Sequence, residues 1–412
     1  ASGSISNLKL KVDGPASGAR LGLDLTGGRA SGISVEVDSG PNEVESYGMS
    51  IDSGSECLYC SFAVSGDNAT GVRSLGDAKF VASEFRDSSG ADDSTTGLLK
   101  YSSGTTELAT SQFVGLKQAI SLADGGLSLH DSTINIGAHT NAVGVLVDAA
   151  GDTTRTLSAT IDGVSIVGTG NDQDGVLVRA DTNQVAGEHA SASIKNSLLY
   201  FEGVPSTPAR CEELNLGDGS ITIEHTFTLT GSPNNSGCST SVSNNLASDI
   251  YDAADLFVDW SQGDLRLAPD APVIDEDDPS TLTAGRAVDA FGAQRFVDWP
   301  PTGSATIDQG GSEYQNYAPE KPSLTASATT VELGKAIGFG ATGSDANGDA
   351  LSYSWSFGDG EDSTAQNPAH TFTAIGSYLV SVRTYDGEWN SEAAEILVTV
   401  VTPVPAATPK PD

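Results

Sequence analysis

The chain of 412 residues is short of positive charge: 20 Lys and Arg stand against 55 Asp and Glu, a formal net charge of −35. Phosphate polymers and anionic membrane surfaces are repelled by such a field. Nucleic acid is therefore excluded as a partner, and cations and neutral or cationic surfaces are favoured. The excess also suits a salty or calcium-bearing medium. No run of about 18 apolar residues occurs, so no membrane insertion is expected of this segment. The opening "ASGSISNLKL" lacks the basic, apolar and small-residue succession of a secretory leader. An exported protein would have lost that leader or would carry it upstream. Methionine occurs once and aromatics make up 6%, whereas glycine occurs 47 times and Ser, Thr, Asp and Asn fill the gaps. That is the composition of many short strands joined by many turns.

Cysteine is also scarce: Cys57, Cys60, Cys211 and Cys238. Four thiols allow three pairings, and local pairing suggests 57–60 and 211–238. "CLYC" could also be a redox site or half of a zinc site. No second CxxC or nearby histidine supplies further ligands, and no βαβ pattern surrounds it. Structural disulfides are expected, hence an oxidising, extracytoplasmic compartment. Asn68-Ala69-Thr70 and Asn234-Asn235-Ser236 match the glycosylation acceptor pattern, which places both in surface loops.

The chain repeats itself. "DSTINIG" from 131, "DGVSIVG" from 162, "NSLLYFEG" from 196 and "HTFTLTG" from 225 each run from polar and small residues through alternating apolar ones to a glycine or its neighbourhood. Their first apolar positions are Ile134, Val164, Leu198 and Phe227, which recur at nearly even intervals. "GVLVDA" from 144 and "GVLVRA" from 175 keep the same interval. A period of roughly 30 residues built of short alternating strands predicts a β-solenoid, in which stacked coils bury a column of Ile, Val and Leu. Small or turn-forming residues such as Ser132, Gly163 and Ser197 are expected at its corners. Helical arrays of similar period are excluded by the missing 3.6-residue periodicity. Cys211 and Cys238 are separated by close to one period and are expected on neighbouring coils.

This pattern resembles the right-handed parallel β-helix proteins of the pectate-lyase-like superfamily over roughly residues 1–315. "LRLAPDAPVIDEDDP", "VDAFGAQRF" and "IDQGGSEYQ" look like the closing stretch of bacterial secreted members. Asp270 and Ala271 stand in the first run; Asp289, Gly292 and Arg295 match the second block and Asp308, Gly310 and Glu313 the third. The resemblance implies a capping segment from about residue 265, covering the last coil. After a linker at 316–322, residues 323–402 read as a β-sandwich. "SDANGDALSYSWSFGDG" and "NPAHTFTAIGSYLVSVRTYDG" resemble the PKD (polycystic kidney disease) domain, an immunoglobulin-like module of extracellular proteins. Thr384 departs from an often apolar position of that pattern. The resemblance implies a spacer, adhesion or carbohydrate-contact module and no catalysis. The Pro-rich "TPVPAATPKPD" closes the chain as an extended spacer over 403–412, from which a further domain or anchor is expected to follow. The fold class is thus all-β: a parallel β-helix followed by a PKD β-sandwich.

Many proteins of the β-helix type cleave acidic polysaccharides. The candidate cluster for such chemistry is "GNDQDGVLVRAD", with Asp172 and Asp174 as an acid/base pair and Arg179 to neutralise a uronate; Asp181 and His189 follow. The paired-Asp, Gly-His-Gly and Arg-x-Lys blocks of the hydrolases and the Arg-x-Pro-x-x-Arg block of the lyases are missing. His130 and His225 are expected at coil corners, His139 in a loop, and His370 as a structural member of the PKD pattern. No cofactor is required. Asp345, Asn347 and Asp349 alternate in "SDANGDA" and could hold calcium, although the spacing is not that of an EF-hand. In "WSFGDG", Asp359 is expected to accept backbone hydrogen bonds within its turn. The expected role is an extracellular or cell-surface structural or adhesive protein whose partner is a polysaccharide or another surface component. The alternatives are a polysaccharide lyase or glycoside hydrolase, and a subunit of an extracellular filament or surface layer.

Overall fold

The computed structural model describes the chain except for residues 1–3, 13–19, 40–44, 90–93, 150–154, 183–188, 203–205, 216–217, 229–233, 237, 244–245, 248–255, 260–263, 269–270, 275–287, 296–306, 315–317, 346–348, 388 and 404–412. The Pro-rich terminus, Asn347 and Asp270 therefore lie outside the described residues. The chain divides into two compact units, Ala1–Tyr314 and Gln315–Asp412.

Among the described residues of the first unit, 25 strands form one continuous parallel ladder in which strands pair with their counterparts one coil later. One core column shows why. Leu10, Val35, Phe62, Phe85, Phe113, Ile134, Ile166 and Leu199 stand in direct parallel register, each against the next. Period-2 alternation points every second side chain inward, and parallel register stacks like upon like. Strand spacing alone then brings Phe62, Phe85 and Phe113 into face-to-face stacks at centroid distances of 5.0 and 4.6 Å.

Each coil turns a corner at one residue of positive φ: Asn7, Gly32, Tyr59, Ala82, Thr110, Asp131, Gly163, Asn196 and His225. At five of these corners the next position carries a buried Ser or Thr. Ser83, Ser111, Ser132, Ser197 and Thr226 each donate their hydroxyl to the carbonyl two residues back. Four of those hydroxyls also accept an amide from the preceding coil, those of Cys60, Ser83, Ser111 and Val164. The buried backbone at the corner is thereby satisfied by a hydroxyl ladder. A second column is made of glycine. At Gly22, Gly48, Gly71, Gly97, Gly144 and Gly175 a Cβ would lie 2.4 to 2.8 Å from a carbonyl oxygen of the next coil.

The register corrects the sequence alignment. Ile134 pairs with Ile166, whereas Val164 pairs with Ser132, and Leu198 pairs with Ser165. Aligning Ile134 with Val164 is a two-residue slip, and moving on to Leu198 is a one-residue slip that changes the face. The coils vary in length: the one from Thr110 to Asp131 is much shorter than the one from Gly163 to Asn196. Leu198 pairs with Phe227, as the sequence leads one to expect. These two belong to an outward column that begins with Lys9, Ser34, Ser61, Glu84 and Gln112. It turns apolar because a second cluster, with Leu256, Phe257, Leu265, Leu267, Val273 and Tyr314, covers it.

The closing motifs lie along the flank of the stack. The Gly310 amide donates to the Asn196 carbonyl, the Gly311 amide to Ser165 Oγ, and the Gln112 amide group to the Ala290 carbonyl. Arg295, fully buried, donates to the carbonyls of Gly310 and Asp308 and lies 3.4 Å from Asp131. Asp289 accepts the amides of Phe291, Ala293 and Glu313. Burial raises the Asp289 pKa against these bonds and against Arg295.

The second unit is a sandwich of antiparallel strands. Ile337–Thr342 pairs with Ser323–Ala326 and Ala369–His370. The other sheet runs Thr330–Glu332, Ala394–Val401, Gly376–Tyr385, Ser352–Ser356 and Asp362–Ser363, the first pair parallel. Trp355, Phe357, Phe339 and Phe372 fill the space between. Asp359 caps its turn by accepting the Glu361 amide, and its second oxygen pairs with His370 Nε2 at 2.8 Å. His370 stacks flat on Phe357 at 4.1 Å. Burial would raise the Asp359 pKa, but the hydrogen bonds from His370 and the backbone lower it.

Candidate functional site

The parallel register that stacks the coils also stacks charge. Lys11 and Glu36, Arg29 and Glu56, Lys79 and Glu107, and Lys195 and Glu224 are register partners joined by ion pairs of 2.6 to 3.3 Å. The cluster around Asp174 and Arg179 follows this rule. Asp148, Arg179 and Glu212 occupy one register position on three successive coils. Arg179 contacts Asp148 at 3.3 Å and Glu212 at 3.2 Å. Asp174 is buried and paired with Arg210 at 2.7 Å. Loss of hydration pushes its pKa up to about 6, and Arg210 only partly opposes this. Asp172 sits on an exposed turn at a φ of 54°. A catalytic carboxylate pair must face a shared opening on either side of the scissile bond. Here Asp174 faces a guanidinium, Arg179 is held by two carboxylates, and Asp172 is exposed at the turn. The side chain of Asp181 lies outside the described residues, and His189 pairs with Asp218 at 3.0 Å.

Both disulfides are formed. Cys57–Cys60 closes across the corner at Tyr59, and Cys211–Cys238 joins consecutive coils, since Cys211 pairs in register with Asn235. Asn68 is exposed in a turn; Asn234 lies on Asn234–Ser236, its side chain outside the described residues.

In the second unit the half-buried Asp345 and Asp349 are joined by Asp386, one oxygen of each lying within 4.8 Å of the others. Asp386 is far from Asp349 in sequence, and strand pairing brings it there. Ser352 lies opposite Tyr385, so the residues flanking that pair share one end of the sheet. The Asp-Gly that follows the strand reads from sequence as a turn, and only its pairing partner reveals the third carboxylate. An all-oxygen set of this kind suits a hard divalent cation such as calcium, whose positive charge would offset the repulsion of three crowded carboxylates. Among the described residues no other group of three His, Cys, Asp or Glu converges in this way. No helix among the described residues is long and apolar enough to cross a membrane.

Comparison with known proteins gives a family for the second unit. The family model described as the PKD domain matches residues 318–401, so this C-terminal unit is a PKD domain. The chain is 27% identical over 161 residues to the pre-pro-metalloprotease PrtV of Vibrio cholerae serotype O1, covering 37% of this chain and 17% of that protein. It is 41% identical over 56 residues to collagenase ColQ1 of Bacillus cereus, covering 14% and 6% respectively. Among solved structures, the PKD1 domain of the Vibrio cholerae metalloprotease PrtV matches at 28% identity, covering 21% of this chain and 100% of that one, with a TM-score of 0.18. The chain thus spans less than a fifth of the length of these curated relatives.

Proposed function

We propose that this is an extracellular or cell-surface protein of structural and adhesive role. The stacked coils are read as a right-handed parallel β-helix of the pectate-lyase-like type, a stiff support, and the PKD domain as an interaction or spacer module. The observation that carries the reading is the PKD match over 318–401; the chain is also similar in part to a pre-pro-metalloprotease and to a collagenase. Two disulfides support an oxidising compartment. The ion pairs on the coils support a non-catalytic surface, because Lys11, Arg29, Lys79, Arg179 and Lys195 are each engaged by a carboxylate of a neighbouring coil. Asp345, Asp349 and Asp386 are proposed to hold calcium, with Asn347 the candidate fourth oxygen ligand. A polysaccharide or another surface component is the proposed partner.

The test is a panel of neutral and uronic-acid polysaccharides on which retention and product release are both measured. Retention without turnover is expected. Turnover that disappears in Asp172→Ala would replace this reading with the lyase or hydrolase one. Regular fibres in negative-stain images of the secreted material would replace it with the filament one.

A further inference from the structure

The corner at Tyr59 differs from its neighbours. Most other corners carry a small or polar residue, such as Gly32, Ala82, Thr110 and Gly163. Tyr59 carries an aromatic ring that is 68% exposed. The disulfide between Cys57 and Cys60 closes the chain on both sides of it, so the ring stands on a covalently fixed turn. Beside it lies a cavity of about 620 Å³, within the roughly 300–1,000 Å³ that small-ligand sites occupy. Ala82, Glu84, Thr110 and Gln112 of the next two coils make its floor, and Phe291 of the flanking segment lines it too. Phe291 is also exposed on a fixed turn, because Asp289 accepts the amides of both Phe291 and Ala293. The Gln112 side chain ties floor to wall by donating to the Ala290 carbonyl at 3.3 Å. The backbone turns that carry the two exposed rings are therefore fixed before any ligand arrives, which lowers the ordering cost of binding.

The lining selects a chemistry. Glu84 is the one charged residue among the described residues that line it, and the chain carries a net charge of −35. Anionic ligands are repelled. A pyranose ring has an apolar C–H face, which stacks on an aromatic ring, and a rim of hydroxyls, which pairs with carboxylate, amide and hydroxyl groups. We infer that this groove binds a neutral polysaccharide, with sugar rings on Tyr59 and Phe291 and sugar hydroxyls on Glu84, Thr110 and Gln112. The inference rests on the adhesive reading above and gives it a site and a ligand class.

The experiment measures binding of the full chain to glucan, mannan and chitin oligosaccharides, with polygalacturonate and gelatin as contrasts. Tyr59→Ser, Phe291→Ser and the double variant are compared with the wild type. Both rings are exposed, and an unchanged melting midpoint confirms that each variant is folded. Retention of a neutral oligosaccharide by the wild type is expected. A single variant should weaken it about tenfold, which is about 1.4 kcal/mol of stacking, and the double variant should abolish it. Undiminished binding by the folded double variant overturns the groove and leaves the adhesive reading standing. Tyr59-dependent retention on gelatin or polygalacturonate, with no neutral glycan bound, overturns the ligand class. Absence of binding to every carbohydrate and surface overturns both readings.

Discussion

Cys211–Cys238 and Cys57–Cys60 differ in the length of chain that they close, and this sets how much each stabilises. A crosslink removes loop-closure entropy from the unfolded chain. For the sequence separation of 27 at Cys211–Cys238, the loop term is about 3.5 kcal/mol at 25 °C; for the separation of 3 at Cys57–Cys60, it is about 1.6 kcal/mol. Cys57, Cys60 and Cys211 lie within the core and Cys238 packs against it partly buried, so replacing either pair by alanine removes the same side-chain atoms from largely buried positions. The difference between Cys211→Ala/Cys238→Ala and Cys57→Ala/Cys60→Ala then isolates the loop term, about 2 kcal/mol. Guanidinium unfolding followed by circular dichroism measures it. Because a stack of coils is stabilised chiefly between neighbours, amide exchange should accelerate first in Thr207–Asn215, Asp218–Glu224 and Ser239–Ser243 when the long bridge is removed. Equal losses for the two double variants would refute the entropic reasoning. Acceleration spread evenly over all coils would refute the local one.

Three further outcomes are expected. Thr384 is fully buried and its hydroxyl has no hydrogen-bond partner among the described residues, so Thr384→Val should stabilise the PKD domain by about 1 kcal/mol; a lower calorimetric midpoint would count against it. Asp174 has a pKa of about 6 in the folded chain, against roughly 3.9 when unfolded. The folded state keeps the proton to higher pH, so this stabilisation is full below about pH 4 and is lost as pH rises through 6, about 3 kcal/mol in all. Asp174→Asn should flatten the fall in stability between pH 4 and 7 by up to that amount, and parallel curves for the two proteins would remove burial as the cause. Millimolar calcium should raise the melting midpoint of the PKD domain, and Asp386→Asn should abolish the rise; a midpoint insensitive to calcium in the wild type would leave the three carboxylates without a metal.

Much of this organisation is legible in the linear chain because it is local. Alternation over short segments marks the strands, and Ser132, Gly163 and Ser197 mark corners because tight reversals need small or permissive residues. "WSFGDG" marks the PKD domain through a turn whose aspartate has a partner, His370, on the next strand but one. Register is less legible. Coils of unequal length shift the repeat, and a slip of one residue leaves the apolar count of a segment unchanged while moving its side chains to the other face. Leu198 and Phe227 resemble core residues in sequence, yet they lie outside the coil beneath a segment that arrives later in the chain.

The amino-acid sequence by itself determined the all-β class, the stacking of similar units, the bridging of Cys57 to Cys60 and Cys211 to Cys238, and the nature of the C-terminal module. Each follows from patterns within a few tens of residues. Only the tertiary structure decided that Asp174 faces Arg210, that Asp386 joins Asp345 and Asp349, and that Tyr59 and Phe291, far apart in the chain, line one groove. The physical reason is that these contacts are set by strand register and by where the flanking segment lies on the stack, and both depend on how coils of unequal length bury their shared core.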